Sequence, residues 1–352
     1  MNAASRPKVT SHDVARAAGV SRTTVSMVLS GSTAVVLADE TRLRVKEAAE
    51  RLGYRPNSAG RMLASGASKT IGLIVSNPDL LLVDGFIPPT LYAISKIATE
   101  QGYNVLVESL PDAKDERAYA DLVLTRRIDG MIVLNPRTED PQLAALIERN
   151  FPIVLLGTIR HPKEVTVNIP GTSDLQEAVD YLVGIGHKKI GHIAISRPGS
   201  NATDYRIVEF REALQEHGLS LPDEQIAYGD FSAASGYDAA LALLKLKPDI
   251  TAILAGNDTI ALGVMRAARD FGMSLPGDLS VIGYDDLPFA AFLEPPLTTI
   301  RSKPVEQGEA ATRMLIDLMQ GRPAARPDVD LATKFIKRGS CAAPRSRPPL
   351  LS

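Results

Sequence analysis

From Thr70 onward, short apolar runs alternate with amphipathic helical segments, and this alternation restricts the fold more than any other feature of the sequence. Runs such as TIGLIVS, GMIVLN and ITAILAG are typical of buried strands, whereas PTLYAISKIATEQG and NDTIALGVMRAARDFG have helical periodicity. Parallel sheets covered by helices produce this pattern. The units are too many for one small sheet, and a seam falls near 157–168. We therefore predict an α/β core of two similar lobes, with ligands bound between them at the carboxyl ends of the strands.

The first 70 residues differ from the rest in charge. They contain 11 Lys and Arg against 5 Asp and Glu, whereas the remainder contains 28 against 36, and the whole chain has a net charge of −2. A basic segment on an acidic body predicts a polyanionic partner for that segment alone. On charge alone, a basic tail without a ligand remains the alternative.

Two short helical patterns joined by a tight turn lie within the basic segment. In VTSHDVARAAGVSRTTVSMVLSG, Thr10 and Asp13 form a capping pattern, Gly19 ends the first helix, and Ser21 caps the second. A third helical stripe follows in DETRLRVKEAAERLGY. This arrangement predicts a helix-turn-helix whose second helix, 21–29, lies in the major groove of DNA. A plain helical hairpin is the structural alternative, and the basic charge favours DNA.

Polar side chains at the start of the second helix are the candidate base-reading groups. Arginine forms a bidentate pair with guanine, and threonine offers both a hydroxyl and a methyl group. The residues that we expect to contact DNA from this unit are Thr10, Ser21, Arg22, Thr23, Thr24 and Ser26.

Signatures of competing protein classes are absent from the sequence. It contains no P-loop, dinucleotide fingerprint or nucleophile elbow. His187 and His192 are not spaced like a metal pair, and Cys341 is a lone thiol in a Pro-rich tail. No apolar run approaches the ~20 residues of a membrane span, and no signal-peptide pattern appears. We therefore expect a cytoplasmic protein that is not an enzyme, with no cofactor, no metal and no membrane partner. A solute-binding protein, the less favoured alternative, would have no use for residues 8–56.

Five segments resemble the lactose/galactose repressor (LacI/GalR) family of bacterial transcription regulators. They are VTSHDVARAAGVSRTTVSMVLSG, ETRLRVKEAAERLGYRPN, GHKKIGHIA, GNDTIALGVMRAARDFGMSLPGDLSVIGYDD and PPLTTI, and the likeness extends from Val9 to about Arg338. The resemblance implies a helix-turn-helix headpiece, a hinge helix and a two-lobed core similar to periplasmic sugar-binding proteins. It also implies a homodimer that binds near-palindromic double-stranded operator DNA and responds to a small effector.

The resemblance assigns further DNA contacts. Arg22 and Thr23 match the family's main base-reading pair, and Leu63 matches the hinge leucine that wedges into the minor groove. We expect Asn57, in the same hinge segment, to contact DNA as well. Two departures concern this part of the chain: Met27 replaces a usual arginine, and Gly60 replaces a usual hinge alanine.

The resemblance also implies an effector site. Arg206, Asn257 and Asp285 match positions that often contact a sugar, Phe231 matches an aromatic residue that stacks on it, and Phe86 lies in the effector-facing loop of the first lobe. An arginine fork and a carboxylate can clamp neighbouring hydroxyls, so we expect a sugar or sugar derivative. A purine or another metabolite is the alternative.

Simpler interpretations of these residues remain open. Asn257 can simply cap the following helix, and Asp285 with Asp286 can form a solvated turn. Gly157 stands where some sugar-binding members carry an acidic residue, and SNPDLLLVDGFIPP is unusually apolar for the effector-facing loop.

The predicted boundaries follow from these assignments. They are 8–56 for the headpiece, 57–68 for the hinge helix and linker, 69–340 for the core and 341–352 for a flexible tail. Within the core, lobe 1 comprises about 69–163 and 297–325, and lobe 2 about 164–296 and 326–340. The short tail has no heptads for a tetramer bundle, so we expect a dimer formed through the core lobes.

Overall fold

The computed structural model describes residues 9–30, 37–55, 67–109, 118–167, 173–324 and 331–345. The chain divides into two units, Met1–Ser68 and Lys69–Ser352, termed here the headpiece and the core. The predicted hinge residues Asn57, Gly60 and Leu63 lie outside the described residues.

Three helices form the described part of the headpiece: α1 (Ser11–Ala18), α2 (Arg22–Ser30) and α3 (Asp39–Leu52). The backbone N–H of Thr10 donates to the carboxylate of Asp13 at 3.0 Å, and Gly19 ends α1 with a φ of 65°. Ser21 Oγ accepts the backbone N–H of Thr24 at 3.1 Å and so caps α2. The buried side chains that join the helices are Val14, Ala15, Ala18, Val25, Val28, Val45, Ala48 and Ala49.

The core alternates strands and helices as predicted. In chain order its strands are β1 (Thr70–Val75), β2 (Asn104–Ser109), β3 (Gly130–Leu134), β4 (Ile153–Leu156), β5 (Ile190–Ala194), β6 (Ile226–Tyr228), β7 (Ala252–Ala255), β8 (Ser280–Asp285), β9 (Thr298–Arg301) and β10 (Lys334–Ile336). Its helices are α4 (Leu80–Val83), α5 (Ile87–Glu100), α6 (Ala118–Leu124), α7 (Pro141–Glu148), α8 (Ser173–Gly184), α9 (Asn201–Glu216), α10 (Ala233–Leu246), α11 (Asp258–Asp270) and α12 (Pro304–Met319). None of the helices in the described ranges is long and apolar enough to cross a bilayer.

Lobe 1 is built on a sheet with the strand order β2-β1-β3-β4, and its described pairings are parallel. Adjacent residues of β1 point to opposite faces, so Leu73 packs in the cluster with α5 and α12, whereas Ile74 packs in the cluster with α6 and α7. Helices cover both faces, which explains why β3 and β4 are apolar throughout.

Lobe 2 is built on a sheet with the strand order β10-β9-β8-β7-β5-β6, in which β10 runs antiparallel to β9. Helices α8 and α9 cover one face, and α10 and α11 cover the other. Helices α10 and α11 approach closely because glycines face the partner backbone. A Cβ at Gly263 would lie 2.6 Å from the nitrogen of Tyr237, and a Cβ at Gly236 would lie 2.8 Å from Cα of Ile260. The two-lobed parallel α/β architecture confirms the predicted fold class.

The lobe boundaries differ from the prediction at two of the three predicted crossings. Segment 297–301 was assigned to lobe 1, but β9 pairs with β8 and β10 in the sheet of lobe 2. The β-branched run Thr298–Ile300 is fully buried and bonded along both edges, whereas in lobe 1 it would leave β8 as an open edge. Likewise Val165 and Val167 exchange backbone hydrogen bonds with Leu155, so residues up to Val167 belong with lobe 1.

The predicted flexible tail, 341–352, begins too early. Ala342 donates its N–H to Ser280 Oγ at 3.0 Å, and its carbonyl lies 3.0 Å from His187 Nε2. The thiol of Cys341 packs over the carbonyl of Val281, and burial raises its pKa to about 11. The tail therefore continues the core of lobe 2 at least to Ala342, because His187 and Ser280 hold its backbone there. Residues 346–352 lie outside the described residues.

Candidate functional site

One face of α2 presents polar side chains to solvent. Arg22, Thr23 and Ser26 are exposed, whereas Val25 and Val28 on the opposite face are buried against α1 and α3. Arg22 and Ser26 are one helical turn apart and so occupy the same stripe. Helix α2 contains no Asp or Glu, so the positive end of its dipole and Arg22 act together on an approaching phosphate or base edge.

The other predicted DNA contacts near α2 hold the turns in place. The hydroxyls of Ser21 and Thr24 lie 2.9 Å apart, and Thr24 is partly buried. Thr10, at the start of α1, donates its hydroxyl to Asp13 at 2.7 Å. These bonds fix the start of each helix, so that Arg22 and Thr23 project from a turn that is already ordered.

In the core, Arg206 on α9 is held on two sides. Its Nη1 donates to the carbonyl of Gly256 at 2.6 Å, and its guanidinium lies 3.7 Å above the centre of the Tyr284 ring. The remaining N–H donors of the fork are directed by these two contacts. Arg206 is therefore a preorganised cation at the carboxyl ends of the lobe 2 strands.

Asp285 ends β8 and is buried. Its backbone adopts a φ of 108°, a conformation that L-residues rarely adopt, and its Oδ1 accepts the hydroxyl of Ser302 at 3.0 Å. Burial raises the pKa of the Asp285 carboxyl, and the charge of Arg206 opposes that rise. The structure thus brings the predicted pair Arg206 and Asp285 into electrostatic contact.

Phe231 and Asn257 are linked to each other. Asn257 Nδ2 donates to the Phe231 carbonyl at 3.3 Å, while its Oδ1 accepts the N–H of Ile260 and caps α11. Phe231, with a φ of 72° and only 8% exposed, packs in the large apolar cluster. The helix-cap interpretation of Asn257 therefore describes its bonds, and Asn257 positions the backbone of Phe231.

Phe86 lies in the lobe 1 loop just before α5. Its N–H donates to Asp84 Oδ1 at 3.0 Å, and its carbonyl accepts the hydroxyl of Thr90 at 2.8 Å. Burial and the nearby charge of Asp285 raise the pKa of the Asp84 carboxyl to about 7, and Phe86 N–H and Arg206 oppose the rise. A lobe 1 carboxylate thus interacts with the Arg206–Asp285 pair of lobe 2.

The lobes contact each other at two places around this cleft. Gly85 lies so close to Leu287 that an added Cβ would be 2.9 Å from Leu287 Cδ2 and closer still to Cδ1. On another side, Ala202 N–H of α9 donates to Asn135 Oδ1 at 3.2 Å. The cleft is therefore closed, with the polar groups of Asp84 and Asp285 enclosed between the lobes.

The structure also explains the absent acid at Gly157. Its φ is 128°, and an added Cβ would lie 2.9 Å from Cδ of Pro136 and 3.3 Å from Oδ1 of Asn201. Any larger residue here would be strained and would push α9 away. Among the described residues of lobe 1, Asp84 has a carboxyl group that interacts with Arg206 and Asp285.

Three groups of the site were missed by the sequence analysis: Asp84, Tyr284 and Ser302. Asp84 carried a usable signal, because it is a lone carboxylate in LLLVDGF, in the segment between β1 and α5. Tyr284 and Ser302 carried none, since their roles depend on which partner each side chain meets after folding.

A helix-turn-helix unit joined to a two-lobed core with a polar cleft is the architecture of a ligand-responsive DNA-binding regulator. Residues 10–57 match the model for bacterial regulatory proteins of the lacI family, and residues 179–341 match that for a periplasmic binding protein-like domain. The chain is 36% identical over 338 residues to the HTH-type transcriptional repressor CytR of Escherichia coli (strain K12), which covers 95% of this chain and 96% of CytR.

Solved structures agree with these matches. The Lac repressor dimer bound to operator and the anti-inducer ONPF superposes with a TM-score of 0.83 at 29% identity, covering 96% of this chain and all of that one. The complex of the transcriptional regulator CelR with cellobiose gives a TM-score of 0.70 at 29% identity, covering 95% and 100%. The chain belongs to the lacI family of bacterial regulatory proteins.

Proposed function

We propose that this chain is a cytoplasmic transcriptional repressor, and not an enzyme, that binds a near-palindromic operator as a homodimer. The observation that carries the proposal is the exposed stripe of Arg22, Thr23 and Ser26 on a capped helix without acidic residues. Arg22 and Thr23 read base edges in each half-site, and Asn57 and Leu63 remain predicted hinge contacts. The similarity to an operator-bound Lac repressor dimer supports this assignment.

The test compares specific with random DNA. Operator sequences are selected from random duplexes with the wild-type protein, and binding is then measured by gel shift at fixed salt. Arg22→Ala is expected to weaken operator binding by roughly 1–3 kcal/mol and random DNA by less. Arg44→Ala, which removes the same charge from an exposed position on α3, is the control and should weaken both alike. Equal losses for Arg22→Ala on the two DNAs would make it a phosphate contact.

We infer that the effector is a small polyhydroxy compound, a sugar or sugar derivative, bound between the lobes. Arg206 offers N–H donors and Asp285 offers carboxylate acceptors, so the pair can clamp adjacent hydroxyls, and Phe231 offers an apolar ring face. The likeness to a cellobiose-bound regulator supports this class. If this compound changes the affinity of the protein for operator by some factor, operator must change the affinity of the protein for the compound by the same factor.

Calorimetry with a panel of sugars, purines and amino acids tests the effector site. Arg206→Ala and Asp285→Ala should each weaken binding of the compound, because each substitution leaves buried polar groups without partners. Arg211→Ala is the control, since it lies on the same helix but pairs with Asp223 and the carbonyl of Leu221. Unchanged affinity in both cleft variants would refute the site, and binding of a purine alone would replace the sugar class.

A further inference from the structure

Two carboxylates from opposite lobes meet in the closed cleft. Asp84 comes from the loop before α5, and Asp285 comes from the end of β8. Their neighbours Gly85 and Leu287 are in van der Waals contact, so closure brings the two loops together. Each carboxyl group therefore lies in a region where water is scarce, and the charge of Asp285 acts on Asp84.

The protein neutralises these carboxylates only in part. Arg206 is the cation that acts on both, and the carbonyl of Gly256 and the ring of Tyr284 prevent it from moving toward either. Two carboxyl groups thus share one fixed positive charge.

The neighbouring charged groups do not neutralise Asp84 and Asp285. Arg301 and Arg338 both form ion pairs with Asp286, so their charges are already used outside the Asp84–Asp285 pair. Asp258, which is fully buried, accepts bonds from the Thr299 hydroxyl and the Leu287 N–H, and burial raises its pKa to about 8, so it brings no positive charge to the pair. The site as a whole favours a ligand that brings positive charge or N–H donors.

Hydrogen-bonding capacity leads to the same conclusion. Asp285 accepts the Ser302 hydroxyl and Asp84 accepts the Phe86 N–H, whereas a carboxylate has about four lone-pair sites. Both therefore retain acceptor capacity inside the cleft. A hydroxyl supplies one donor hydrogen, but an amino group supplies two or three, which suits a position between two carboxylates.

We propose that the effector is a polyhydroxy compound carrying an amino group, and that this group lies between Asp84 and Asp285. The inference rests on the proposed function, because it requires the cleft between the lobes to be the effector site. The amino group can belong to an amino sugar or to the base of a nucleoside, since both place N–H donors on a ring compound with hydroxyls. Asp84 then determines specificity, selecting the amine from its hydroxyl or oxo analogue.

Matched pairs test this directly by calorimetry on the full-length dimer. The pairs are glucosamine with glucose, adenosine with inosine, and cytidine with uridine, so that the sugar and base sources are distinguished. At least one amino member is expected to bind at least about tenfold more tightly than its partner. That preference should disappear in Asp84→Asn and persist in Asp79→Asn, which removes an exposed carboxylate from the same loop.

The outcomes separate this inference from the proposed function. If a compound binds, loses affinity in Arg206→Ala and shows no amine preference, the effector site stands and the amine inference fails. If an amine binds equally well to wild type, Arg206→Ala and Asp285→Ala, both fail. Absence of binding by any amino member at millimolar concentration also overturns the inference, as does thermal stabilisation by calcium or magnesium that depends on Asp84.

Discussion

Adding one methyl group at Gly85 should hold the two lobes of the core apart. In the closed structure the new Cβ would lie 2.9 Å from Leu287 Cδ2, well inside the 3.5–4.0 Å of a favourable carbon–carbon contact. The N–H of Leu287 is bonded to Asp258 at 2.6 Å, so its backbone cannot retreat and only its side chain can rotate. Overpacking of this kind costs roughly 1–3 kcal/mol, and here the cost falls on the closed state alone.

Hydrogen exchange measures this cost without knowledge of the effector. Ala202 N–H lies in the first turn of α9 and donates to Asn135 of the other lobe, so its protection reports closure. Gly85→Ala should speed exchange of peptides containing Ala202 by roughly 5–150-fold. Amides in the middle of α9 should exchange at the wild-type rate.

A double-mutant cycle identifies the cause. Leu287→Ala removes the side chain that the new methyl group would meet, so the combined variant should recover protection at Ala202 relative to Gly85→Ala alone. Unchanged exchange in Gly85→Ala would refute the closed-cleft geometry. Additive effects of the two substitutions would show that Gly85 acts through its own loop and not through Leu287.

Three further predictions concern stability. Burial and Asp285 raise the pKa of Asp84 to about 7 from its ordinary 3.8, so between these two pH values the folded protein holds a proton that the unfolded chain releases. The contribution of Asp84 to stability is therefore complete below pH 3.8 and is lost as the pH rises through about 7. Asp84→Asn should therefore raise the free energy of unfolding in urea above about pH 7 more than near pH 5, and a pH-independent difference would contradict the assignment. Gly263→Ala should lower the free energy of unfolding by an amount in the upper part of roughly 1–3 kcal/mol, because backbone atoms of α10 oppose the new methyl group, whereas Gly184→Ala, with open space around it, should not lower it. Asn257→Ala should cost roughly 1–2 kcal/mol through loss of the α11 cap, and Asn257→Ser, whose hydroxyl oxygen can still accept the Ile260 N–H, should retain part of it; equal losses in thermal unfolding would argue against the cap.

Local periodicity was sufficient to predict most strands and helices of both lobes, but not β6, β9, β10 or α12. Apolar runs such as β3 and β7 are buried on both faces, and such runs have few other places to lie in a parallel α/β protein. The assignment of β9 to a lobe was wrong because sheet membership depends on pairing between distant segments. Nothing in PPLTTI distinguishes an edge of one sheet from an edge of the other.

The candidate site was predicted less completely than the fold. The family resemblance was enough to select Arg206 as a neighbour of Asp285, but it could not show that Asn257 is bonded to the Phe231 carbonyl and to the start of α11. Asp84 was missed because its importance arises from closure, which brings a lobe 1 loop onto lobe 2. The pattern of one loop carries no information about the charge that it will meet.

The order of elements along the chain sets the order in which the parts become usable during synthesis. The headpiece ends by Ser68 and has its own apolar cluster, so it can fold soon after it leaves the ribosome. Lobe 1 waits for α12 to cover one face of its sheet, and lobe 2 waits for β10 to pair with β9. At ordinary translation rates, roughly 10–50 s separate the emergence of β1 from that of α12. Each nascent chain therefore holds a folded DNA-binding unit well before it holds the cleft that regulates it. During that interval the apolar faces of both sheets remain uncovered, and only chaperones or rapid completion of the chain protect them from aggregation.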